Sequence, residues 1–306
     1  MAALYVPGFE ISAIVTQSAQ AAVCRARRQQ DNQAVVVKLA YSDAEAAKLV
    51  SEFELLQFIE SAHVVRAYDL TTIADTRALI LEDVAGQALQ PYPQKRTTAS
   101  TQAQSASSHR YASDLSNINV GDTHEVNVNL GTQRVNQRFW KIDEITTIAQ
   151  TVSQALSAVH AAGIIHRDVT LGNIIWHSPT YHATLIDFGI AVRTDYFQVN
   201  PEDRLPGTLA FMAPEQLGGM VDARADLYSL GVCLYTLTAG HMPFVTSNPL
   251  ELMDAHQSML PPSVDRFRAG IPADLSRIIM RLLAKQPDDR YNSSQALLAD
   301  LRTSAM

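Results

Sequence analysis

The apolar and polar positions of the chain divide it into strand-like runs near the N-terminus and helical repeats further on. Ile11, Ile14 and Val15, then a run led by Val23, then Ala34-Val35-Val36-Val37-Lys38-Leu39 read as three strands. Polar turns at Thr16 to Gln20 and Arg27 to Gln33 join them. Ser42-Asp43-Ala44-Glu45 then opens a helix as a capping box, in which the hydroxyl and the carboxylate serve each other's backbone donors. Ala46, Leu49, Val50, Phe53 and Leu56 share one face of that helix. A longer helix starts at Asp143, its expected N-cap, with Ile145, Ile148, Ala149, Val152, Leu156 and Val159 at helical spacing, and Gly163 stops it. Ile174-Ile175-Trp176 and Thr184-Leu185-Ile186 read as a small hairpin. Three later helices begin at Asn248-Pro249, at Pro272 and near Asn292; Leu275, Ile278, Ile279, Leu282 and Leu283 form the apolar face of the second.

Between Pro91 and about Gln137 this patterning lapses. Gln94 to Arg110 is dominated by Ser, Thr, Gln and Ala, which bury too little surface to offset the entropy of ordering. Residues 91–137 are therefore expected to form a flexible insertion, with a hairpin from Val126, Val128 and Leu130 through Gly131-Thr132 to Val135. The tract reads either as an inert surface loop or as a set of autophosphorylation sites or a docking segment.

Composition narrows the class without naming it. The 306 residues suffice for one large domain or two ordinary ones, and 47% apolar with 18% charged residues is a soluble globular balance. A net charge of −7 implies no basic face, so no nucleic acid partner is expected. Cys24 and Cys233 make neither a disulfide framework nor a metal cage, which fits a reducing cytoplasm. No basic-then-apolar leader opens the chain, so secretion is not expected. Leu227 to Ala239 is too short and too polar to span a bilayer, so no membrane span is expected. The last helix ends close to the final residue, so no second domain is expected.

The chemistry concentrates in His166-Arg167-Asp168-Val169-Thr170-Leu171-Gly172-Asn173 and, beyond the hairpin's first strand, Asp187-Phe188-Gly189. The hairpin would hold Asp168, Asn173 and Asp187 near one another at its open end. A hard cation such as Mg²⁺ takes oxygen ligands, usually one or two from protein and the rest from phosphates and water. Asn173 and Asp187 can supply those oxygens, and Asp168 can orient an attacking hydroxyl and accept its proton. The order and spacing of these residues resemble the catalytic loop and the DFG segment of the protein kinase superfamily.

The resemblance implies an α+β, two-lobed protein kinase fold over residues 9–301, with a small antiparallel β lobe at about 9–84 and a mainly helical lobe at about 85–301. It implies ATP and Mg²⁺ as cofactors and a protein substrate with a Ser or Thr acceptor, autophosphorylation included. Lys38 would hold the α- and β-phosphates, and Glu52, in preference to Glu54, would pair with it. Val23 would roof the adenine. Leu81 would guard the back of the pocket, and backbone groups of Glu82 to Val84 would bond the base. Thr208 would bond Asp168, Glu215 would pair with Arg290, and Asp226 would accept backbone donors from the catalytic loop.

Three departures qualify the resemblance. The glycines of the phosphate-covering loop are replaced by Thr16, Ser18 and Ala21, so weaker nucleotide cover is expected. Thr170 stands where such kinases carry a lysine that steadies the γ-phosphate, so slow turnover is expected. The usual activation-loop phosphosite falls on Arg204, so Glu202 or Asp203 reads either as the partner of Arg167 in place of a phosphate or as a plain surface acid. The missing glycines and Thr170 favour an alternative, a pseudokinase scaffold; the intact Lys38, Asp168, Asn173 and Asp187 oppose it. A small-molecule phosphotransferase of kinase-like fold would lack a peptide platform such as Gly207 to Glu215. The wording of Gly207 to Gln216 looks bacterial, and the regions of Ala255-His256 and Ala284-Lys285 look similar to kinase modules that head multi-sensor signalling proteins.

Overall fold

The computed structural model describes residues 5–91, 139–194, 208–219 and 221–303. The expected insertion beyond Pro91, with its hairpin, lies outside them, as do Glu202 and Asp203. The first layer is an antiparallel sheet of β1 (Phe9–Gln17), β2 (Ala21–Arg28), β3 (Ala34–Ala40), β4 (Ala67–Ile73) and β5 (Thr76–Glu82), in the order β1-β2-β3-β5-β4. The period of two in β3 decides where its lysine points. Val35, Val37 and Leu39 are buried in a core with Ala22, Cys24, Ala26, Ala78 and Ile80, so Val36 and Lys38 lie on the opposite face.

Against the sheet packs α1 (Asp43–Leu56), capped by Ser42, whose hydroxyl accepts the Glu45 N–H at 3.3 Å. The capping box is only half used, because the Glu45 carboxylate turns to Lys48 at 2.6 Å. Leu49, Leu55 and Leu56 are buried; so is Glu52, while Glu54 is exposed.

β6 (Gln87–Ala88) leads to the second layer, whose spine is α2 (Ile142–Ala161). It starts one residue before Asp143: Lys141 is the cap residue, and its N–H donates to Glu144 at 3.1 Å. Asp143 instead places its charge in the first turn, where it meets the positive end of the helix dipole. Ile145, Ile148, Ala149, Val152, Leu156 and Val159 are all fully buried, and Gly163, at φ +68°, ends the helix region. β7 (Ile164–Ile165) pairs with β10 (Val192–Arg193), while β8 (Ile174–His177) and β9 (His182–Leu185) form the expected hairpin.

A short α3 (Pro214–Leu217) precedes α4 (Arg224–Ala239), which is buried all round, as its lack of a polar face requires. Gly231 sits where a Cβ would come within 2.7 Å of Leu282, so α4 can touch the helix that ends at Leu282 closely. α5 (Pro249–Ser258), α6 (Ala273–Leu282) and α7 (Ser294–Thr303) complete the layer; α7 starts two residues past Asn292. Among the described residues no helix is long and apolar enough to cross a membrane.

Candidate active site

The cleft between the layers gathers residues from five elements. β2 pairs with β3 so that Val23 lies directly opposite Lys38, on the same face of the sheet. Lys38 Nζ donates to both carboxylate oxygens of Glu52 on α1, at 2.7 and 2.8 Å, and to Oδ1 of Asp187 at 2.8 Å. Burial alone would pull the Lys38 ammonium down, but the Asp187 and Glu52 carboxylates outweigh it and hold the group well above its usual range. In return, Lys38 holds the Asp187 carboxyl below the usual carboxylate range. Glu52 also accepts the Phe188 N–H at 3.1 Å, which ties α1 to the segment after β9.

Opposite this group, Asn173 Nδ2 donates to Asp168 Oδ2 at 2.8 Å and to the Asp168 carbonyl at 2.9 Å. The planar amide therefore turns its oxygen away from Asp168. Asp168 Oδ1 accepts the Thr208 N–H at 3.1 Å, so it is the backbone of Thr208 that reaches Asp168. Thr170 is buried in the same loop, where its carbonyl accepts the Asn173 N–H at 3.1 Å and its hydroxyl lies beside Gly172.

The loop's backbone is held from below. Asp226, 1% exposed at the start of α4, accepts His166 N–H at 2.9 Å and Arg167 N–H at 2.8 Å. Burial pushes its carboxyl up, but the His160 ring and these donors win and hold it below the usual range. Arg167 (φ 67°) and Asp187 (φ 65°) are both left-handed, which side-chain-bearing residues rarely adopt. His166 is fully buried: its Nδ1 accepts Asp168 N–H at 3.3 Å, its Nε2 faces the Ile186 carbonyl at 3.1 Å, and its edge packs on Phe188.

The turn between β1 and β2 is shorter than the polar run Thr16 to Gln20. Thr16 is a strand residue, paired with Val23, and only Ser18 to Gln20 make the turn. Ser18 N–H donates to the Ala21 carbonyl at 2.9 Å, and the Ser18 hydroxyl accepts the N–H groups of Gln20 and Ala21 at 3.2 and 3.1 Å. Glu82 ends β5 and donates its N–H to Arg66. Glu82, Val84 and Ala85 line a polar groove of about 170 Å³ together with His177 and Thr180. Arg25, two residues past Val23, reaches Asp83 at 3.3 Å and links β2 to this segment.

Several supporting residues escape sequence reasoning. His160 and Ser294 behind Asp226 carry only the signal of polar residues at helix-face positions. Arg25 and Asp83 look like ordinary surface charges until the sheet register places them.

A protein kinase domain model matches residues 121–301, and a model of the phosphotransferase enzyme family matches residues 23–198. Serine/threonine-protein kinase PknB of Mycobacterium leprae is 39% identical over 158 residues, covering 50% of this chain and 25% of that protein. Pkn1 of Myxococcus xanthus, also a serine/threonine-protein kinase, is 40% identical over 157 residues, covering 50% of this chain and 23% of that protein. The chain thus spans about a quarter of the length of these curated relatives. The crystal structure of the Mycobacterium tuberculosis PknI kinase domain shares the fold, with a TM-score of 0.61 and 19% identity over 99% of both chains. The phosphotransferase match stops before Thr208, which closes on Asp168, and before Glu215, which Arg290 clamps through two hydrogen bonds. Only the protein kinase model takes in those parts together with the catalytic loop, and it spans more than half of the sequence: the chain belongs to the protein kinase family.

Proposed function

We propose that the chain transfers the γ-phosphoryl group of ATP to serine or threonine hydroxyls of proteins. The observation that carries this reading is the three-way junction of Lys38 with Glu52 and Asp187. It joins β3, α1 and the segment after β9, and places an ammonium beside a carboxylate that can hold a phosphate-bound cation.

The donor set fits Mg²⁺. Asp187 gives one oxygen to Lys38, yet its side chain is 47% exposed, which leaves carboxylate surface for a cation. Asn173, its nitrogen committed to Asp168, has an amide oxygen to offer. One carboxylate and one amide, with phosphates and water, is an ordinary Mg²⁺ set. Bound there, the ion would neutralise charge on the transferring phosphates.

The remaining roles fall to the chain's own groups. Lys38 binds the α- and β-phosphates, and Glu52 keeps its ammonium in the cleft. Asp168, oriented by Asn173 and Thr208 N–H, accepts the proton of the acceptor hydroxyl as its oxygen attacks the γ-phosphorus in line, the bond to the β,γ-bridging oxygen breaks and ADP leaves. Thr170 replaces a cation near the γ-phosphate, which slows the step. Val23 covers the base, and the backbone of Glu82 to Val84 bonds its edge. Thr16, Ser18 and Ala21 frame the phosphate cover. Both cysteines are buried free thiols, which suits the reducing cytoplasm.

A second reading, nucleotide binding without transfer, is favoured by the closed Ser18 turn and by Thr170. Labelled ATP with Mg²⁺ and a generic protein acceptor separates the two. Transfer by the wild type that is lost in Asp168→Asn supports the kinase reading. ATP binding without transfer in either protein replaces it with the scaffold.

A further inference from the structure

We infer that Ser294 is a positioning residue for phosphoryl transfer, acting on the catalytic loop through His160 and Asp226. The inference rests on the kinase reading above. Ser294 opens α7, and its hydroxyl lies 2.8 Å from Nδ1 of His160, in the last turn of α2. His160 Nε2 lies 2.8 Å from Asp226 Oδ2. The same carboxylate binds the N–H groups of His166 and Arg167, next to Asp168. Ser294 and Asp226 are each 1% exposed, and the His160 side chain is 9% exposed.

Proton accounting shows why the hydroxyl matters. Asp226, held ionised, is an acceptor only, so Nε2 of His160 must carry a hydrogen. With its hydrogen on Nε2 alone, the ring would present Nδ1 as a buried lone pair, and the Ser294 hydroxyl, 2.8 Å away, is the donor within reach. Without that donor, the ring loses its fixed tautomer and one of the two bonds that hold its plane. Asp226 would then lose a fixed partner while it holds Arg167 in a left-handed backbone. Leu297 and Leu301, buried along α7, set the depth at which Ser294 meets α2.

The test uses the full chain as wild type, Ser294→Ala, Ser294→Thr, His160→Asn and the Ser294→Ala/His160→Asn double variant. Peptide phosphorylation is measured alongside nitrogen-15 spectra of ring-labelled histidine. Ser294→Ala is expected to lower kcat about threefold to tenfold, the size of one buried hydrogen bond, while KM for ATP stays within about twofold. The His160 Nδ1 resonance moves in Ser294→Ala, and Ser294→Thr, which keeps the hydroxyl, restores both kcat and the resonance. The double variant is no slower than His160→Asn alone. Wild-type kcat in Ser294→Ala, an unmoved Nδ1 resonance or additive losses would each overturn the inference. Ser294→Cys, with its weak donor, takes the place of the alanine variant if that does not fold. Absence of transfer from the wild type defeats the kinase reading and this role together; normal wild-type transfer with an unaffected Ser294→Ala defeats this role alone.

Discussion

Arg290 and Glu215 meet through two parallel hydrogen bonds, Nη1 to Oε1 at 2.6 Å and Nη2 to Oε2 at 2.8 Å. The guanidinium is fully buried and also donates to the carbonyls of Ala284, Lys285 and Arg224, so all five of its N–H groups are used. Removing one partner would leave a buried charge uncompensated. Arg290→Ala is expected to cost about 3–5 kcal/mol in denaturant unfolding, and Arg290→Lys to recover little, because a point charge cannot reproduce the fork.

Glu52→Gln keeps the shape of the α1 contact but leaves Lys38 with Asp187 as its carboxylate partner. Loss of a charge-assisted bond of this kind should lower kcat/KM for ATP about tenfold to a hundredfold. Steady-state kinetics, with circular dichroism to confirm an intact fold, checks it. Kinetics equal to wild type would show that the pair does not set the phosphate site.

Ser18 occupies backbone donors that a glycine-rich turn would offer to phosphate. Ser18→Gly releases the N–H groups of Gln20 and Ala21 from the hydroxyl. KM for ATP is expected to fall severalfold with a smaller change in kcat. An ATP titration that gives an unchanged or higher KM would show that the turn does not limit nucleotide grip.

Burial, helped by the charge of Lys285, pulls the His256 imidazole down to about 4. In the fold its Nδ1 lies 2.9 Å from the Tyr228 hydroxyl. The unfolded ring protonates near its ordinary value, so between about pH 6.5 and 4 the unfolded state binds the extra proton. Stability should therefore be complete above about pH 6.5 and decline as pH falls toward 4, by on the order of 3 kcal/mol from this group. His256→Asn should flatten that slope in urea unfolding measured across the pH series.

The chain reveals its chemistry more readily than its supports. Lys38 and Glu52 are legible because each sits in a run whose period fixes its face, and Asp168, Asn173 and Asp187 because of their order and spacing. Alternation in β3 sends Lys38 away from Val35 and Val37, and α1's apolar stripe carries Glu52 inward. β4 was not legible: Ala67-Tyr68-Asp69-Leu70-Thr71-Thr72-Ile73 lies at the sheet edge and lacks a clean alternation. Its turn to β5 uses Ala74 and Asp75 at φ 45° and 65°, without the glycine or asparagine that normally announces such a turn. The bonds within the Ser18 turn are hidden for a related reason. Spacing locates a turn, but a serine's bonds to its own backbone decide whether that turn stays open. The Asp226–His160–Ser294 link joins three helices distant in sequence, and no local pattern encodes it.

Arg167 and Asp187 sit in backbone shapes that their own residue types disfavour, one on each side of the hairpin that carries the reacting groups. A peptide cut out around them would relax and lose its shape. Competence at this centre is therefore a collective property, imposed by α4 and its neighbours rather than written into the motif. Loosening the scaffold far from the cleft should silence the chemistry before the fold itself gives way.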